Sequence, residues 1–464
     1  MRSAAALPVL ALLVACSSDP STSGPPRGFE PRAPRALAEG ENVVPLDPVG
    51  ASIEASVASV PGNTRRLAAN VMKLRPGQRS RLQAYYSHDG GATWAASAEI
   101  PFVGSNGREY SGQGDAVMAS DRAGRLYSAL LMTKGQPTYN FSAVGVSRSD
   151  DGGATWGTPA VITEDAWGGG ASPFNDKEWI AVDNSGGARD GTVYVVWQRM
   201  DQMQVGVNSK FLISRSTDQG RTWSAPRETS ATEPGGAMMI DVGPEGEIHI
   251  GRWSQSRGGY IAQVSTDGGD TFSAPVLITR GAGVQPQQPP NRYFAYPRLH
   301  ADRSFGAHRG NVYFVGTITV TAPDGSRVPA PAISRSADGG KSWSTLRAVA
   351  LAGNGDALFP TGIVDDANGE VAVAWLDRRD DPTRRTGRIY AARSRDGGAT
   401  FEPAQPFSPP LQADADWMGE YYAIAAAGDK YVATFSDAAG RLSAFTIDFE
   451  PVDAPTRRRR SVRQ

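Results

Sequence analysis

Hydrophobic positions along this chain fall in short runs of β-branched and aromatic residues, not in the broad stripes of amphipathic helices. Residues 192–198 (TVYVVWQ), 311–316 (NVYFVG) and 370–376 (EVAVAWL) show the type. Such runs, bounded by turn residues, predict β-strands. Shorter apolar segments follow at 160–163 and 276–279. The grammar repeats: a leading strand, a middle strand, a strand running into a polar turn, and a short closing strand.

The polar turn is nearly the same octapeptide each time. It reads SHDGGATW from Ser87, SDDGGATW from Ser149, STDQGRTW from Ser216, STDGGDTF from Ser265, SADGGKSW from Ser336 and SRDGGATF from Ser394. The aspartates are Asp89, Asp151, Asp218, Asp267, Asp338 and Asp396, spaced 62, 67, 49, 71 and 58 residues apart. That spacing suits one unit of four short strands plus variable loops. An Asp followed by Gly is tight-turn chemistry: the carboxylate accepts backbone N–H bonds and glycine takes positive φ. The flanking Ser and Thr add short bonds to the turn, and the closing Trp or Phe is a large apolar anchor. Six equivalent carboxylates cannot share one pocket, so these aspartates are expected to be structural.

The octapeptides resemble the Asp-box, S-x-D-x-G-x-T-W, of the sialidase and bacterial-neuraminidase-repeat superfamily. The resemblance spans roughly residues 50 to 450 and implies an all-β propeller of four-stranded blades. It also implies that the Asp-boxes lie between the two outer strands of each blade, away from the active face. Three more strands, at 420–427, 431–436 and 441–449, follow the sixth unit without an Asp-box. Residues 42–46 (NVVPL) supply a fourth from the N-terminus, which would close the ring and remove an exposed edge. Seven blades are expected, with six, the count of sialidases, as the alternative.

The ends change the picture of where the protein works. Arg2 followed by an apolar stretch at 4–14 and Leu13-Val14-Ala15-Cys16 resembles a lipoprotein signal, with Cys16 as the lipidated residue. Cys16 is the only cysteine, so an intrachain disulfide is excluded. This predicts a signal peptide at 1–16, a Ser/Pro/Gly-rich tether at 17–41, the propeller at 42–450, and a basic tail at 451–464. The expected location is the cell envelope: an exported, membrane-anchored lipoprotein of the outer membrane or cell surface. A formal charge of −1 argues against general nucleic-acid binding, and 53 glycines with 33 prolines fit a turn-rich chain. A monomer is expected, with a glycan or a surface protein as ligand.

Candidate chemistry lies in the segments that lead into each innermost strand and in the loops between second and third strands. These hold Asp115, the run Asn175-Asp176-Lys177-Glu178-Trp179, Tyr293, Tyr296, Arg298, Asp356 and the run Asp416-Trp417-Met418-Gly419-Glu420-Tyr421, with Arg199, Asp201, Arg252, Asp377, Arg378 and Arg379 on the second set. Sialidase-type chemistry, which the resemblance implies, asks for three arginines around a substrate carboxylate, a Tyr activated by a Glu, and an acid/base Asp. Arg252, Arg298 and Arg378 are the candidate clamp, with Trp417 as a further substrate contact. Tyr421 with Glu420 or Glu178, and Asp176, are the catalytic candidates. The Arg-Ile-Pro signature of sialidases does not occur. A non-catalytic surface propeller that binds glycan or protein is the alternative function. No cofactor or metal is expected: His88, His249, His300 and His308 show no zinc spacing, there is no nucleophile elbow or phosphate loop, and the Gly168–Gly170 run reads as linker.

Overall fold

The computed structural model describes residues 43–134, 141–166, 173–201, 209–230, 232–281, 286, 289–291, 293, 296–351 and 353–449. The expected signal, lipidated Cys16, tether, basic tail and Gly168–Gly170 linker lie outside the described residues.

The strands assemble into seven separate antiparallel sheets, six of them with their strands in sequence order from the axis outward. The innermost strands are Ser52–Val60, Gly112–Ser120, Phe174–Val182, Gly235–Val242, Arg298–Ala301, Ala357–Val364 and Ala423–Ala427. The sixth sheet gains one extra pairing, from Leu411–Gln412 onto Thr386–Gly387. This is the seven-bladed propeller that the repeat predicts; the six-bladed alternative does not occur. Among the described residues no helix is long and apolar enough to cross a membrane.

Each blade buries both faces against its neighbours, which explains why the middle strands read as continuous apolar runs. Trp197 and Trp375, on two middle strands, are fully buried. The seventh blade closes with the N-terminal strand Val43–Asp47, which pairs with Leu442–Ile447 as its outermost strand. Asp47 at the end of that strand reaches into the first blade: Lys73 Nζ lies 2.8 Å away and Ser52 Oγ donates to it at 2.7 Å. One strand therefore removes an open edge and ties the last blade to the first.

The Asp-boxes sit where expected, on the turn between third and fourth strands. In the first, Ser87 Oγ donates to Asp89 Oδ1 at 2.8 Å, Thr93 N to the same oxygen at 2.9 Å, and Gly91 N to Ser87 Oγ at 2.9 Å. The same bonds recur in the other five. The second glycine has a second task. Gly91 adopts φ +88°, and a Cβ there would lie 2.7 Å from Val432 of the neighbouring blade. Gly153 stands in the same way against Tyr86, and Gly220 against Tyr127, so each turn is also a blade-to-blade contact.

Candidate functional site on the propeller axis

Five of the seven innermost strands share one irregularity. Register shifts fall between Ile53 and Ser56, Gly114 and Val117, Asp176 and Trp179, Gly236 and Met239, and Leu358 and Thr361. Each is a β-bulge within an innermost strand, and bulges re-aim side chains. Four of them carry a non-glycine residue in the left-handed region: Glu54 at φ 57°, Asp115 at 52°, Lys177 at 55° and Phe359 at 52°. Such a conformation costs about 1–2 kcal/mol per residue and is held only by its surroundings. Three of the four strained residues are charged.

They meet in one buried cluster. Lys177 Nζ lies 2.9 Å from Asp115 Oδ2, 2.9 Å from Glu420 Oε2 and 3.9 Å from Glu54 Oε1. Asp176 shares a side-chain hydrogen bond with Asp115, and Glu178 completes a set of five carboxyl groups around one ammonium. All six side chains are at most 3 % exposed. Glu420 is brought in by Gly419, whose φ is +88° and whose Cβ position would lie 2.9 Å from Glu54 N; only glycine permits that approach.

The electrostatics divide the set. Burial pulls the Lys177 ammonium down, but Asp115, Glu420, Glu54 and Asp176 outweigh it and hold it well above its ordinary value. Burial pushes the Asp176 carboxyl well up, with Lys177 opposing and Asp115 and Glu420 assisting. Burial likewise raises Glu178 well above the carboxylate range, with Asp115 adding to it. Neither Glu178 oxygen has a hydrogen-bond partner among the described residues. Burial thus favours the protonated form of Asp176 and Glu178, while Asp115, Glu420 and Glu54 face the Lys177 ammonium.

An aromatic layer lies against this cluster. Tyr421 meets Trp179 edge-on at 5.5 Å and Tyr296 at 6.0 Å, while Trp179 and Tyr296 stack at 6.5 Å. Tyr421 Oη has no hydrogen-bond partner among the described residues, and burial, with Glu54 and Asp115, raises its pKa well above the usual value. Glu420, a candidate activator, is paired with Lys177. Trp417 stands beside the third hydrophobic cluster, partly buried.

The three candidate clamp arginines have different partners. Arg252, inside the strand Ile248–Ser254, pairs with Glu233 at 2.6 Å and lies over the Phe211 ring at 4.0 Å. Arg378 pairs with Asp356 at 3.7 Å and donates to the carbonyls of Pro289 and Ala413. Arg298 alone joins the aromatic layer, 4.5 Å over Trp179 and 5.8 Å from Tyr421. Of the remaining charges, Arg199 pairs with Asp165 at 2.8 Å and Arg379 with Asp377 at 2.7 Å. His300 faces Asp241 at 3.9 Å, whereas His308 abuts Gly397. Among the described residues no group of His, Cys, Asp and Glu is arranged to hold a metal ion.

Sequence reasoning named Asp176, Glu178, Glu420 and Tyr421, and the fold brings them together. It missed Glu54, which lies early in the first blade with no turn motif beside it. Its strand, SIEASVASV, places one acid inside an otherwise small and apolar run, and that misfit was the available signal.

The family model of the BNR/Asp-box repeat matches residues 85–96, around the first octapeptide. Comparison with curated proteins gives no match. Among solved structures, the chain is similar to the Hadza microbial sialidase Hz136, at 13% identity over 82% of this chain and 76% of that one, with a TM-score of 0.47. It is similar to a protein of unknown function from Dyadobacter fermentans, at 13% identity over 88% and 100%, TM-score 0.45. It is also similar to the Penicillium chrysogenum alpha-L-arabinanase complexed with arabinobiose, at 12% identity over 89% and 99%, TM-score 0.47.

Proposed function

We propose that this chain, an Asp-box (BNR-repeat) β-propeller, acts on glycans as a glycoside hydrolase whose chemistry resides in the axial acid cluster. The observation that carries the reading is the gathering of five buried carboxyl groups around Lys177, two of which, Asp176 and Glu178, burial pushes well up. Glycoside hydrolysis needs a carboxylic acid to protonate the leaving oxygen and a carboxylate to stabilise positive charge or activate water. Asp176 and Glu178, pushed up by burial, are the candidate acids. Glu420 and Asp115, each 2.9 Å from Lys177 Nζ, are the candidate carboxylates. Trp179, Tyr296 and Tyr421 offer ring faces and edges against which a sugar can pack. Tyr421 fits a protonated hydrogen-bond donor better than an ionised nucleophile, because its environment disfavours the phenolate. Export with lipid on Cys16 belongs to the same proposal and would present the propeller at the cell envelope.

The test is release of 4-methylumbelliferone from a panel of sialyl, arabinofuranosyl and hexosyl substrates by the purified soluble protein. Turnover should fall at least 100-fold in both Glu420→Gln and Asp176→Asn. Absence of turnover on every substrate overturns the hydrolase reading.

One observation favours a second reading. The cluster is almost wholly excluded from solvent, and its members come from four blades: Glu54, Asp115, Lys177 and Glu420. In that reading it is an ionic axle, and the propeller binds a glycan or protein elsewhere without catalysis. Stable, inactive wild-type protein whose melting temperature drops sharply in Glu420→Gln is the result that reading requires.

A further inference from the structure

The axial channel continues past the aromatic layer. Toward the Asp-box face it widens into a cavity of about 780 Å³, within the size range of small-molecule sites. One belt of its wall is aliphatic, drawn from Val57, Val117, Ile180, Ile240, Leu299 and Ile363 on six successive innermost strands, while Asp241, Arg303, Arg309, Asp365 and Asp366 line it elsewhere. Its deep end is formed by Trp179 and Thr361, just past their bulges, and by Arg298 at the start of the fifth innermost strand.

Arg298 is the unusual member. It is 4 % exposed, yet no carboxylate among the described residues pairs with it; its guanidinium donates to the carbonyls of Tyr296 at 3.4 Å, Pro297 at 3.3 Å and Tyr422. Burial lowers its pKa to about 9, with only the Tyr421 and Tyr296 hydroxyls opposing. The other buried arginines on the shortlist have acids: Arg252 has Glu233, and Arg378 has Asp356. Arg303, further along the same cavity, has Asp241 at 2.8 Å and Asp366 at 3.2 Å. A buried charge without a counter-charge is costly. Thr361, 1 % exposed, lines the same end, and its Oγ1 has no partner among the described residues. Two donors thus stand at the deep end of the cavity beside its aliphatic belt, one of them charged.

We propose that this end of the channel is a binding site for an aliphatic monocarboxylate, with the carboxylate on Arg298 and Thr361 and the alkyl chain along the aliphatic wall. A planar guanidinium matches a carboxylate, and desolvation by the surrounding wall strengthens that pairing. The wall contributes through apolar area removed from water. His300, two residues along the strand from Arg298, is held neutral by burial, with its pKa lowered to about 4, so it brings no competing charge. The site is separate from the acid cluster: none of Glu54, Asp115, Lys177 or Glu420 lines it.

Isothermal titration of the purified protein with octanoate, 1-octanol and N-acetylneuraminate tests the proposal. Octanoate is expected to bind at least tenfold more tightly than octanol, and N-acetylneuraminate, a carboxylate without an apolar tail, more weakly than octanoate. Arg298→Gln should weaken octanoate at least tenfold and leave octanol within twofold. Since Arg298→Gln also removes bonds to three carbonyls, Ala423→Trp, which fills the lumen from the seventh blade, provides a second arm and should abolish binding of both. Glu420→Gln should leave octanoate affinity within twofold whatever it does to glycan turnover, which separates the two proposals. No octanoate binding, equal binding of octanoate and octanol, tighter binding of N-acetylneuraminate, or octanoate affinity unchanged in Ala423→Trp overturns it.

Discussion

Lys177 shows how one residue can decide the state of several others. Its ammonium lies among Glu54, Asp115, Asp176 and Glu420 at the centre of the ring, in a backbone conformation that side chains seldom adopt. Removing it leaves negative charge buried and unpaired, which typically costs about 3–5 kcal/mol. Lys177→Met is therefore expected to destabilise the protein by that amount at pH 7. The pH dependence gives the cause away. Without the ammonium the buried carboxyl groups take up protons more readily in the folded state than in the unfolded one. Stability must then be greatest at low pH and fall as pH rises through their raised values. Chemical denaturation at pH 5 and pH 8 should show the variant's deficit growing with pH; a deficit constant across that range would assign the loss to packing instead of charge.

At the scale of the element, the Asp-box turn was almost fully legible. Its carboxylate, hydroxyl and glycine chemistry is local, so spacing and residue type were enough, and the structure returns the same bonds six times. Asp218 illustrates the strength of the motif: hydrogen bonds from Thr222, on side chain and backbone, hold its carboxyl at about pKa 2. A carboxyl with a lowered folded-state pKa stabilises the protein above its unfolded value and loses that contribution as pH falls. Asp218→Ala should cost about 1 kcal/mol at pH 7, since the turn is exposed and solvent screens it. The gap between variant and wild type should close as the pH drops from 4 to 2, measured by urea unfolding. The bulges were not legible, because they arise from crowding of seven strands around one axis and leave no local signature. That is why Asp115 and Lys177 read as loop residues in sequence but stand inside strands. The arginine clamp was drawn from the resemblance, and guanidinium partners depend on which blades face each other; Arg252 pairs with Glu233 and Arg378 with Asp356.

The whole molecule is a ring, and a ring behaves differently from an open array of the same repeats. In an open array each blade contacts only its neighbours and the ends fray. Here the strand Val43–Asp47 supplies the outermost position of the seventh blade, and the buried Asp47–Lys73 pair carries the connection on into the first. Deleting residues 43–47 exposes the edge of Leu442–Ile447 and frees Lys73 from its acid, so lowered melting temperature and association through the bare edge are expected. The decisive comparison is a circular permutant that begins at Pro48, runs to Phe449, and continues through a short linker into residues 43–47. The register supports it: Val43 pairs with Phe445, so the transplanted strand folds back as a hairpin. The break falls beside Val49, which is 69% exposed. If closure is a matter of filling that strand position, the permutant regains the melting temperature and the association state of the intact protein that the deletion loses. A permutant no more stable than the deletion would mean that the chain must enter the ring from the N-terminal side for the blades to close.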